Sequence, residues 1–128
     1  SIENNSPAAN DKQLNQFEEL QTSYTAHLQQ GDNVKAAIVA KSLGSLYRKQ
    51  GDLQQAQTYL LSSLELSRKS HLPEYEAEAL GELGLLAHDN GNQASAREYI
   101  SSCIELLRKS GATTSLRRWE KQLARLQN

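Results

Sequence analysis

The residues of this chain best equipped for chemistry are three histidines, one cysteine and one tryptophan, and their spacing assembles no reactive centre. His27, His71 and His88 share no metal-ligand spacing, and no cysteine or carboxylate set joins them. The lone Cys103 excludes an internal disulfide and a multi-cysteine zinc site, and suits a reducing compartment such as the cytoplasm. Nothing near it in sequence would lower its pKa, so a buried, inert thiol is expected rather than a nucleophile. Trp119 has the character of a partner anchor. Its spacing with Leu116 and Leu123, however, favours packing in the core or in a cap. Neither a Gly-rich phosphate loop nor a catalytic-triad pattern occurs, and no cofactor is implied. The chain reads as non-catalytic.

Charge and composition narrow the field further. Lys and Arg number 14 against 15 Asp and Glu, so the overall basic surplus that nucleic-acid binders use on phosphates is missing. A local excess runs from Arg108 to Arg125, through Lys109, Arg117, Arg118 and Lys121, against Glu120 alone. Such a cluster attracts an acidic partner or nucleic acid, or more often forms the solvated face of a terminal helix. No window of about 18 apolar residues is present to span a membrane. Aromatics make up 5% and β-branched residues are scarce, whereas Ala, Leu, Gln, Glu and Lys/Arg abound. Unbranched side chains lose little rotamer freedom in a helix, so an all-α chain is predicted.

The elements that must position these residues emerge from an internal repeat. Displaced by 40 residues, the stretch 37–70 meets 77–110 with 13 identities in 34 positions, from Ala37/Ala77 and Gly44/Gly84 to Arg68-Lys69-Ser70/Arg108-Lys109-Ser110. Ordinary composition gives about two or three. Each unit holds two amphipathic helices. Ala36, Ala40, Leu43 and Tyr47 line the first helix of one copy, and Ala79, Leu83 and Leu86 that of the other. Gly51 and Gly91 stop these helices, with Asp52 and Asn92 placed to cap the next. Leu53, Ala56, Tyr59, Leu60 and Leu64 line one second helix; Ala96, Tyr99, Ile100 and Ile104 line the other.

Six helices are predicted. Residues 1–10 read as a disordered lead-in and 11–30 as the helix of a degenerate half-repeat. Full repeats follow at 34–70 and 74–110, and a capping helix at 114–127. Ser1 and the absence of methionine suggest a processed chain or a segment of a longer protein.

These residues resemble the tetratricopeptide repeat. Its first-helix signature appears as Ala40-x-x-Leu43-Gly44-x-x-Tyr47 and as Leu80-x-x-Leu83-Gly84-x-x-Ala87; its second as Ala56-x-x-x-Leu60 and Ala96-x-x-x-Ile100. The 40-residue period is similar to the long variety in LGN-type polarity adaptors, kinesin light chains and MalT-like bacterial regulators. The resemblance implies tandem antiparallel hairpins stacked into a right-handed superhelix, whose concave groove is walled by first helices and holds a partner peptide or helix. Small residues at Gly44, Gly84, Ala56 and Ala96 would let the helices of a hairpin approach closely.

Carried over by position, the groove residues are Lys41, Ser45, Arg48 and Lys49 in the first unit. Glu78, Glu82, Leu85 and His88 follow in the second, and Arg118, Lys121, Gln122 and Arg125 in the last helix. The family's carboxylate clamp requires asparagines where this chain has Ser45 and Glu82; only Lys41 fits it. A purely structural reading competes: Glu78, Glu82, Arg118 and Lys121 pair among themselves, at about 0–1 kcal/mol for an exposed pair. The function implied is a scaffold binding a protein or peptide partner, with no small-molecule substrate. The alternative is a sensor or oligomerisation segment of a larger MalT-like transcription regulator, in which self-association is the output.

Overall fold

The computed structural model describes the backbone of residues 7–127 and the side chains of 11–127. Six helices follow one another: α1 (Pro7–Gln29), α2 (Asn33–Gln50), α3 (Leu53–Lys69), α4 (Pro73–Asp89), α5 (Gln93–Ser110) and α6 (Thr113–Gln127). Each packs against its neighbour in sequence, and α2 also touches α4. The result is an all-α solenoid. α2, α4 and α6 begin 40 residues apart, so the sequence period is the period of the fold. α1 starts at Pro7, four residues before the boundary expected from sequence. The lead-in reading therefore gives way at 7–10, and its first six residues lie outside the described ones. A proline has a fixed φ suited to the first helical turn, where its missing N–H costs nothing.

The turns follow a common plan. Asp32, Asp52 and Asn92 each accept a hydrogen bond at 3.1 Å from the backbone N–H three residues on, capping α2, α3 and α5. At the preceding helix ends the chain swings into the left-handed region, at Gly51 with φ 86° for example. The turn after α3 does the same with a side chain attached: His71 has φ 53°, the only positive value outside glycine among the described residues. That strain is held by bonds from His71 N–H to Arg68 O and from Leu72 N–H to Ser67 O.

Within each hairpin the close approach depends on glycine. A Cβ at Gly44 would lie 2.6 Å from Leu60 Cγ, and one at Gly84 would lie 2.5 Å from Ile100 Cγ1. Leu43, Leu60, Ile100 and Leu107 are fully buried between the helices, each worth about 1.5–3 kcal/mol of burial. Ser63 and Ser67 share this interior because their hydroxyls donate to Ala37 O at 2.7 Å and Ser63 O at 2.8 Å. Cys103 occupies the equivalent of Ser63 in the second hairpin and is wholly buried. α1 joins through aromatic contacts, with Phe17 4.8 Å from Tyr47 and Tyr24 5.7 Å from Tyr59 between ring centroids.

Candidate functional site

Register assigns the candidate residues to α2, α4 and α6. Lys41, Gly81 and Lys121 share one position of the 40-residue unit, Ser45, Leu85 and Arg125 another, and Ile38, Glu78 and Arg118 a third. The charged members divide into two ion-paired groups and a remainder.

The first group joins α2 to α4. Arg48 Nη1 donates to Asp89 Oδ2 at 2.9 Å, while Arg48 Nε stands 3.9 Å from Glu82 Oε2. The second distance is an ion pair without a hydrogen bond, and neither atom has another partner among the described residues. Both side chains are more than four-fifths covered, at 19% and 18% exposure, so the attraction is less screened than at an open surface. Asp89 was not among the residues singled out from sequence. Its spacing of seven from Glu82 places both on one face of α4, which was the available signal.

The second group joins α4 to α6. Glu78 accepts from Arg118 through Oε2, and from Trp119 Nε1 at 3.3 Å through Oε1. The Arg118 guanidinium also lies 5.4 Å from the centre of the Trp119 ring, within reach of a cation–π contact. Trp119 itself is 2% exposed and belongs to the core, as its spacing suggested. Beneath the same region lies Cys103, whose thiol is pushed up to about 12, first by burial and then by Glu78. Such a thiol is protonated at neutral pH and is no nucleophile.

Mutual pairing of the charges therefore holds for Glu78 with Arg118. Glu82 pairs with Arg48, not with the basic residues of α6. Leu85 packs half-buried against the core. His88 is exposed, with Nδ1 2.9 Å from Gln93 Oε1 across the turn into α5. Lys41 and Ser45 are half-buried, and Lys121 and Arg125 are exposed. Lys41, Lys121 and Arg125 form no ion pair among the described residues. Those residues also hold no group of three or more His, Cys, Asp or Glu fit for a metal ion, and no helix long and apolar enough to cross a membrane.

No curated protein matches the chain. A family model described as tetratricopeptide repeat matches residues 34–109, from the start of α2 almost to the end of α5. That span contains both hairpins, both glycine contacts and both capped turns, and on this ground the chain belongs to the tetratricopeptide repeat family.

Proposed function

We propose that the protein is a non-catalytic scaffold that holds an acidic segment of a partner protein along α2, α4 and α6. Repeats of this family generally mediate protein–protein interactions, and fold alone goes no further than that class of activity. One observation supports the finer reading. Glu78 and Glu82 are already occupied by Arg118 and Arg48, whereas Lys41, Lys121 and Arg125 keep their charge without a partner among the described residues. Among the candidate residues of these helices, the charge left for a ligand is therefore basic. Complementary charge of this kind sets orientation and association rate more than raw affinity. A cytoplasmic setting accords with the free, buried Cys103.

Selection from a random peptide library tests the reading. Peptides bound by the wild type should be rich in Asp and Glu and should weaken with added salt. They should lose about tenfold in affinity, roughly 1.4 kcal/mol, against Lys41→Glu/Lys121→Glu. Peptides without acidic bias, or indifferent to that double reversal, would overturn it.

A further inference from the structure

The two hairpins differ at one place where their common register makes them directly comparable. Tyr47 and Tyr59 of the first, with Phe17 of α1 beside them, correspond, 40 residues on, to Ala87 and Tyr99, with Gln57 of α3 in the place of Phe17. In the first hairpin the Tyr47 and Tyr59 rings stack with centroids 5.6 Å apart and planes within 9° of each other. Phe17 of α1 lies tilted against Tyr47 at 4.8 Å, and the Tyr47 hydroxyl accepts from Gln21 Nε2 at 3.0 Å. In the second hairpin a methyl group replaces the central ring. A cleft of about 380 Å³ opens there, lined by Leu53, Gln57, Leu86, Ala87, Asn90 and Tyr99 among others. Tyr99 is half-buried and has no aromatic partner among the described residues.

We propose that this cleft is a second recognition site, which takes a Phe or Tyr side chain of a partner polypeptide and seats it on the Tyr99 ring. The chain supplies its own filled copy of the site: Tyr47 on Tyr59 shows the ring orientation that this backbone accommodates. The volume lies within the range of pockets that enclose small organic groups, roughly 300–1,000 Å³. Leu53, Leu86 and Ala87 give the ring apolar walls, and an aromatic face favours an offset-stacked partner. At the rim, the Gln57 and Asn90 amides offer both donors and acceptors to the backbone of the segment carrying the ring. The Asn92 side chain at the same rim is already engaged with Ser95 N–H. The cleft shares no residue with the Lys41–Lys121 face and stands or falls separately from it.

The test is a titration of the full chain with N-acetyl-tyrosinamide, read by amide chemical shifts, with N-acetyl-alaninamide as the control. The tyrosine probe should move the amides of Leu83, Ala87, Asn90 and Tyr99, and the alanine probe should not. Ala87→Tyr, which restores the missing ring from within, should abolish the response. Tyr99→Ala should abolish it by removing the platform, and Lys41→Glu should retain it. Equal response to both probes, no response at millimolar tyrosinamide, or a response surviving in Ala87→Tyr and Tyr99→Ala would overturn the site.

Discussion

Trp119 packs so closely on Gly81 that a Cβ at position 81 would lie 2.4 Å from its Cζ2. The ring of α6 thus occupies the place where a side chain of α4 would stand, and Glu78 fixes it by accepting from Nε1. Gly81→Ala must push the indole outward, an overpacking cost of about 1–3 kcal/mol. Urea denaturation should show that loss, and the single tryptophan should shift its emission to the red as it becomes wetter. Unchanged stability and emission would contradict the contact.

Glu78 and Arg118 should respond unequally to truncation. Glu78→Ala strips the buried indole N–H of its acceptor and should cost about 1–3 kcal/mol. Arg118→Ala removes a side chain that is 58% exposed, and a surface ion pair is worth only about 0–1 kcal/mol. Thermal denaturation of the two variants should order them accordingly.

The turn after α3 is open to improvement. His71 takes a left-handed conformation that its counterparts achieve with glycine, and a side chain there costs about 1–2 kcal/mol. His71→Gly recovers part of that while loosening the unfolded chain. A net gain of about 1 kcal/mol is expected, visible as a higher Tm. His71→Ala should show no such gain.

Cys103 gives the protein an alkaline limit. Its folded pKa of about 12 stands above the ordinary 9.0 because burial disfavours the thiolate. Between those values the folded state holds a proton that the unfolded state releases, so stability is full below pH 9 and falls as pH rises toward 12. Cys103→Ala should flatten that part of the stability curve relative to the wild type. A thiol reagent at pH 8 should react with the wild type only on unfolding.

The similarity between 37–70 and 77–110, 40 residues apart, made both hairpins legible, along with the stops at Gly51 and Gly91 and the caps at Asp52 and Asn92. These are local or repeated features. Gly44 and Gly84 were legible for the same reason, because each hairpin repeats its own contact. Arg48–Asp89 and Trp119–Gly81 were not. They join different units, and their partners depend on how one hairpin sits against the next, which a period within the sequence does not encode. Glu78–Arg118 was anticipated only because equivalent positions on stacked helices come to lie side by side. The left-handed His71 escaped notice because its residue type gives no sign of it, whereas a glycine would have.

The proposed partner-binding face is tested most directly by site-specific photocrosslinking in the cell of origin. A benzoylphenylalanine at Ser45, in register with Leu85 and Arg125, should capture a partner segment, and sequencing of the adduct should show it rich in Asp and Glu. The same group at the exposed Thr58 on α3 should not. Capture from Thr58 with none from Ser45 would contradict the assignment of the binding face to α2, α4 and α6.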